Sequence, residues 1–302
     1  LLTIVVCAYC HENYVEKCLQ SILDSEIDSI DLIIIDDGST DTTLQRCLEF
    51  PHGSEILTRV YHKRNKGLVH SLRMGLDLAK GRYISIMASD DYYEKNGLGA
   101  ALRYLTRSIE PIDALICQAV TFGDCEQIVY TEATKRFFNR SPLERLDVIF
   151  SEPPSPMLLQ ATIFRTEFLR NLRPWQDGLE LDDWPTFIRV FVAEAQMSAV
   201  VQFCATIVLS RYRVHAAGVH KDLARQIRVT EQVAMRLVPL AYRNKCLAIV
   251  RIRYGLTYMR RGRLAHGAML LFNGLKVSPT PKVFIYIFRS LVKALRNKLV
   301  AS

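Results

Sequence analysis

The feature that most constrains this chain is that its apolar runs are unbroken and the segments between them carry a helical period. TIVVCAY (3–9), IDLIIIDD (30–37) and RYISIMASDD (82–91) lack the every-second-residue alternation of a sheet with one wet face. Between the first two, ENYVEKCLQSILDS (12–25) spaces Val15, Leu19, Ile22 and Leu23 along one side of a helix. SEILTRVYH (54–62) and LVHSLRMGLDLAKG (68–81) repeat the strand–helix cycle, with Gly81 placed to stop the helix. Strands that are apolar on both faces and separated by helices predict an α/β fold with a mostly parallel sheet covered on both sides. Ligands of such sheets bind beyond the carboxyl ends of the strands. Two of the runs end there in adjacent acids, Asp36–Asp37 and Asp90–Asp91.

Either pair alone reads as a turn, with Ser39, Thr40 or Asp41 capping the next helix. Two pairs closing two strands of one sheet are another matter, because like charges repel unless a cation or a donor-rich ligand lies between them. No G-x-G-x-x-G follows the first strand, which argues against a dinucleotide site. With 49% hydrophobic and 23% charged residues in 302, the chain is globular rather than disordered. Its eight cysteines are dispersed, as suits reduced thiols, and Cys7-x-x-Cys10 has no second pair to complete a zinc site. The first ten residues show no signal-peptide pattern, so the expected location is cytoplasmic.

The segments TIVVCAYCHENYVEKCLQSIL, LIIIDDGSTDTT, NKGLVHSLRMGLDLAKGRYISIMASDD and LDDWPTFIRV together resemble a family 2 glycosyltransferase of the GT-A fold, over about residues 1–215. The resemblance implies an inverting transfer of a sugar from a nucleotide-sugar donor to an acceptor hydroxyl. It assigns Asp37 to an N–H of the nucleotide base, which suits a carboxylate as a pure acceptor. Cys7, Ala8 and Tyr9 would line the nucleotide. Asp90 and Asp91 match the acidic motif that holds Mg²⁺ or Mn²⁺ on the donor diphosphate, one on the metal and its neighbour on the ribose. Ala88 stands where the commoner form has another Asp, and which of the two acids meets the metal stays open. Asp183 takes the place of the catalytic base, with Asp182 where Glu is usual; residue by residue, both also suit a helix N-terminus. LSRYRVHAAGVH (209–220) resembles the segment in which a histidine completes the metal site, which would make His215 a third ligand; taken alone, the histidine reads as structural or exposed. Trp175 and Trp184 are sugar platforms or core residues, Lys63, Arg64 and Lys66 diphosphate contacts or a solvated loop, and the Pro-rich start of 153–169 a loop over the site.

Charge divides the chain. Residues 1–231 carry 25 basic and all 31 acidic residues, and 232–302 carry 14 basic and none acidic. The expected organisation is a GT-A domain over 1–220 followed by a basic helical region over 221–302. CLAIVRIRYGLTYMRRGRLAHGAMLLFNGLKVSP reads as a helical hairpin turning at Gly262. PKVFIYIFRSLVKALRNKLV (281–300) lines Phe284, Phe288, Leu291, Leu295 and Leu299 along one helical face and Arg289, Lys293 and Arg296 along another. Its longest apolar run falls far short of the roughly 20 residues that span a bilayer, so it lies on an anionic membrane surface or packs on the protein. A nucleic-acid partner ranks lower, because the aromatics follow an apolar face instead of being interleaved for base stacking. The expected partners are a UDP-sugar donor, a saccharide or lipid-linked saccharide acceptor and that membrane surface. The rival readings are a nucleotide-sugar-binding protein without catalysis and a nucleotidyltransferase.

Overall fold

The computed structural model describes residues 2–25, 27, 29–51, 56–123, 126–151, 157–214, 222–279, 284 and 287. In chain order the first elements are β1 (Leu2–Ala8), α1 (Val15–Leu23), β2 (Ile30–Asp36), α2 (Thr43–Glu49), β3 (Ile56–His62), α3 (Leu68–Leu78) and β4 (Tyr83–Ala88). There follow β5 (Tyr92–Tyr93), α4 (Gly97–Arg107), β6 (Ala114–Gly123), α5 (Glu132–Phe138), α6 (Pro142–Ser151) and a 3₁₀ turn over Leu159–Ala161. The series ends with β7 (Thr162–Arg165), α7 (Thr166–Leu172), α8 (Asp183–Met197), β8 (Val201–Val214), α9 (Leu223–Leu237), α10 (Leu240–Arg260) and α11 (Leu264–Val277). The chain divides into two compact units, residues 1–141 with 155–218 and residues 142–154 with 219–302.

The first unit is built on one eight-stranded sheet in the order β3-β2-β1-β4-β7-β6-β8-β5. The expected parallel cycle is present: β1 pairs in parallel with β2 and β4, and β2 with β3. Strand β7 enters antiparallel between β4 and β6, and β6 and β8 are again parallel. The register sets Ala8 beside Asp36 on one side of β1 and Cys7 beside Ala88 on the other. Both acidic strand ends therefore flank the end of β1. Ile4 and Val6 of β1, Leu32 and Ile34 of β2, and Val15, Leu19 and Ile22 of α1 are all buried in the main core cluster. On the opposite face Gly75 of α3 lies against Val5, and a methyl group there would overlap Val5 Cγ1. Gly75→Ala is expected to lower stability by about 1–3 kcal/mol through overpacking, read as a lower urea midpoint at unchanged slope.

Helix α3 ends at Leu78, ahead of Gly81, because Ala79 is already extended. The hydroxyl of Thr3 accepts the N–H groups of Lys80 (3.1 Å) and Gly81 (2.8 Å), which draws the chain off the helix and into β4. In the second unit α10 and α11 form the expected hairpin, turning at Gly262 with φ +79°. Within that unit Lys245 bonds Asp147 at 2.7 Å, and Arg251 bonds Glu231 at 2.7 Å. The amphipathic segment 281–300 lies outside the described residues apart from Phe284 and Ile287, and 153–156 lie outside them too. Among the described residues no helix is long and apolar enough to cross a membrane.

Candidate active site

The carboxyl end of β1 gathers its neighbours through its last carbonyls. Ala8 accepts the N–H of Asp37 (2.8 Å) and Cys7 that of Ser89 (3.1 Å), which pulls the turns after β2 and β4 to the same edge. The two acids after β2 then part ways. Asp36, fully buried, accepts the N–H groups of Gly38 (3.2 Å) and Ser39 (3.1 Å), the Ser39 hydroxyl and His62 Nδ1 (2.8 Å). It is the organiser of the turn. Gly38 is held at φ +78°, and any Cβ there would lie 2.8 Å from the Asn65 nitrogen. Asp37 faces the 63–66 loop, whose Lys63 ammonium and Lys66 N–H (2.8 Å) both bind its Oδ1.

Residues 10–12 are tied to the 39–43 turn. Cys10 N–H bonds Ser39 Oγ (2.9 Å), His11 N–H bonds Thr43 Oγ1 (2.8 Å), and the Glu12 carboxylate accepts Thr42 N–H (3.0 Å) and hydroxyl (2.7 Å). His11 is thereby carried to the β4 end, where Nδ1 lies 2.8 Å from Ser89 Oγ and 3.9 Å from Asp90 Oδ1. Cys7 is buried, Tyr9 exposed and Cys10 an exposed free thiol. Burial, then the negative charge of Asp182 and Asp37 against the opposing Lys63, pushes the Cys7 thiol up to about 12.

Asp91 is buried with Oδ1 accepting Arg213 N–H at 2.7 Å, and its Oδ2 has no partner among the described residues. Arg213 also donates from Nε to the Asp90 carbonyl (3.1 Å) and sets its guanidinium over the rings of Tyr14 (4.2 Å) and Phe122 (4.4 Å). Burial, then the neighbouring Asp90 charge, holds the Asp91 carboxyl well above the usual range; the Gln160 side chain beside it pulls the other way. Asp183 opens α8, and its Oδ1 accepts the N–H of Leu159 at 2.8 Å. Burial, then Asp182, raises the Asp183 carboxyl well above its ordinary value, and Asp91 adds to the rise. Asp182, also raised by burial, receives Thr186 Oγ1 (2.8 Å) and Trp175 Nε1 (3.4 Å) on its carbonyl.

One hydroxyl records the convergence. Burial pushes Tyr212 up to about 12, and Asp91, Asp183, Asp90 and Asp182 contribute in that order. Four acids separated by up to 93 positions of sequence thus act on one ring, through strand β8. His11, Ser89, Tyr212 and Arg213 belong to this edge but have no assigned role in the motifs that contain them; only their places after β1, after β4 and at the end of β8 could have marked them, and Gln160, from the 3₁₀ turn before β7, has no such mark. Trp175 is buried and Trp184 half-buried. His215 lies outside the described residues.

Asp90 and Asp91 fit a Mg²⁺ or Mn²⁺ ion: they offer hard oxygen donors, and one buried oxygen of Asp91 lacks a partner among the described residues. Among those residues no three His, Cys, Asp or Glu side chains are grouped to hold an ion unaided. An ion bound by one or two carboxylates plus substrate phosphate oxygens needs no such group.

Residues 3–164 match the sequence model of Glycosyl transferase family 2. An uncharacterized glycosyltransferase of Haemophilus influenzae is 31% identical over 108 residues, 36% of this chain and 33% of that protein. The chondroitin synthase of Pasteurella multocida is 32% identical over 103 residues, 34% of this chain and 11% of that protein. The chain thus spans about a third or less of the length of these relatives. Among solved structures, S. aureus TarS 1–349 in complex with UDP-GlcNAc aligns over 89% of this chain and 90% of its own at TM-score 0.61 and 15% identity. The mannosyltransferase PcManGT from Pyrobaculum calidifontis, in complex with GDP-Man and Mn²⁺, aligns over 97% and 80% at TM-score 0.60 and 17% identity. At such identities the likeness establishes the fold, a GT-A sheet followed by a helical region. With more than half of its length inside the family match, the chain belongs to glycosyl transferase family 2.

Proposed function

We propose that this chain moves a sugar from a nucleoside-diphosphate sugar, a UDP-sugar by preference, to an acceptor hydroxyl with inversion at the anomeric carbon. The observation that carries the reading is the gathering of the turns after β2 and β4 at the end of β1, which sets Asp37 and the Asp90–Asp91 pair on one edge with a buried oxygen of Asp91 lacking a partner among the described residues. Adjacent acids at such an edge repel one another unless a cationic or donor-rich ligand lies between them. Asp183 is the base. Its Oδ1 is held by Leu159, which leaves Oδ2 to take the proton of the acceptor hydroxyl. The acceptor oxygen bonds to the anomeric carbon as the bond to the nucleoside diphosphate breaks on the opposite face. A carboxyl of raised proton affinity is the better base once ionised, since catalysis favours a pKa near the working pH. Asp37 takes an N–H of the base, and Cys7, Ala8 and Tyr9 border the nucleotide.

Asp90 and Asp91 would hold the divalent ion, with His215 as a further ligand; the ion supplies Lewis-acid neutralisation of the leaving diphosphate. Support for a nucleotide-sugar donor and a divalent ion comes from the complexes of the two structural neighbours, one with UDP-GlcNAc and one with GDP-Man and Mn²⁺. The acceptor we infer is a saccharide or lipid-linked saccharide in surface polysaccharide assembly at the cytoplasmic side of an anionic membrane. The similarity to a chondroitin synthase and the acid-free region from 232 onward favour it. UDP at a hundredfold excess over its Kd, with Mn²⁺, should stabilise the fold by about 2.7 kcal/mol and raise Tm accordingly. A screen in which no nucleotide shifts Tm, with or without Mn²⁺, sinks the reading.

A further inference from the structure

Helix α11 is apolar on two opposite sides. One side is closed against α10 within the same unit: Cβ atoms on Gly267 and Gly274 would lie 2.7 Å from the Gly255 carbonyl oxygen and 2.9 Å from that of Ala248. Glycine at both places lets the two backbones approach to where no side chain fits. On the other side Leu264, Ala268 and Phe272 follow at i, i+4 and i+8, with Ala265, Met269 and Lys276 in the adjoining row. These residues are exposed, Leu264 by 62%, Met269 by 54% and Phe272 by 67%. Contiguous exposed apolar patches mark an interaction surface.

We propose that this outer face of α11 is the surface by which the chain lies on an anionic lipid bilayer, an inference that rests on the membrane-side acceptor proposed above. Charge selects the occupant. Exposed Arg260, Arg261 and Arg263 ring the hairpin tip, Lys276 stands on the face itself, and residues 232–302 contain no acid to oppose a negative surface. A second copy would bring the same arginines against themselves, and nucleic acid would leave the leucine, methionine and phenylalanine side chains without an apolar partner. No described helix can span the bilayer, so α11 lies in the plane of the headgroups with its apolar row inserted and its glycine seam inward.

The test is co-sedimentation of the whole chain with phosphatidylglycerol–phosphatidylcholine vesicles and with phosphatidylcholine alone, at low and high salt. Wild type should bind the anionic vesicles and weaken in 1 M salt, where screening shortens to about 3 Å. Met269→Glu with Phe272→Glu should reduce binding on the order of tenfold or more, with unchanged circular dichroism. Binding by this variant equal to wild type overturns the proposal, as does wild type that ignores anionic vesicles. A wild-type dimer in analytical ultracentrifugation that the variant dissolves also overturns it, in favour of a second copy. The UDP–Mn²⁺ shift in Tm is measured on the same samples: its loss would refute the transferase reading, whereas its retention without vesicle binding would refute this surface alone.

Discussion

Asp183→Asn should lower kcat by about 10²- to 10⁴-fold while the UDP–Mn²⁺ thermal shift persists. The amide keeps the shape of the side chain, and its oxygen can still accept the Leu159 N–H at the place Oδ1 now occupies. What disappears is the ability to take a proton. The substitution should also leave the apo fold as stable or more so, because burial and Asp182 disfavour the charged carboxyl. The sign follows from linkage: a carboxyl raised on folding contributes stability below its unfolded value of about 3.9, and that contribution is lost as pH rises through the folded value. In metal-free buffer the Tm of the variant relative to wild type should therefore climb with pH from the acid range to neutrality. A variant that keeps wild-type kcat removes Asp183 from the chemistry; one that loses nucleotide binding together with kcat makes it a structural residue.

The strand ends were legible because their signal is local. Unbroken apolar runs and helical spacing in the first ninety residues specify β1, β2, β4 and the helices between, and the rule for parallel sheets points to Asp37, Asp90 and Asp91. The hairpin of α10 and α11 was legible for the same reason, a helical period broken by one glycine. The antiparallel insertion of β7 and the irregular register of β6 on β8 were not, since pairing between distant strands leaves no periodic trace. Nor was the association of α6 with α9, α10 and α11, which depends on contacts such as Asp147 with Lys245, 98 positions apart. His11 reaches Ser89 across 78 positions, and Arg213 reaches Asp91 across 122. Such partners become visible only when the chain is folded. The DD dipeptide shows the limit most sharply: two identical neighbours in sequence, both buried, take unlike partners, because the turn at Gly38 sets one carboxylate on its own turn amides and the other on the 63–66 loop.

That division yields the second large effect. Asp36→Ala removes the common acceptor of two backbone amides, a hydroxyl and an imidazole at a carboxylate that is itself fully buried. Each buried donor left unmatched costs about 1–3 kcal/mol, and the imidazole can recover water because His62 is itself exposed, so the loss should reach about 3 kcal/mol or more. Since Asp36 sets the turn that aims Asp37, nucleotide binding should fall as well. Asp37→Asn differs in kind. The amide oxygen can keep the Lys66 N–H while the charge that faces Lys63 is lost, so the stability change should be smaller, about 1–2 kcal/mol. Its main effect should be a UDP dissociation constant raised by about tenfold, the worth of one hydrogen bond of roughly 1.4 kcal/mol to the base. Urea unfolding and UDP titration on both variants separate the two acids. If Asp37→Asn binds UDP as wild type does while Asp36→Ala retains its urea midpoint, the roles drawn for the pair are wrong in both members.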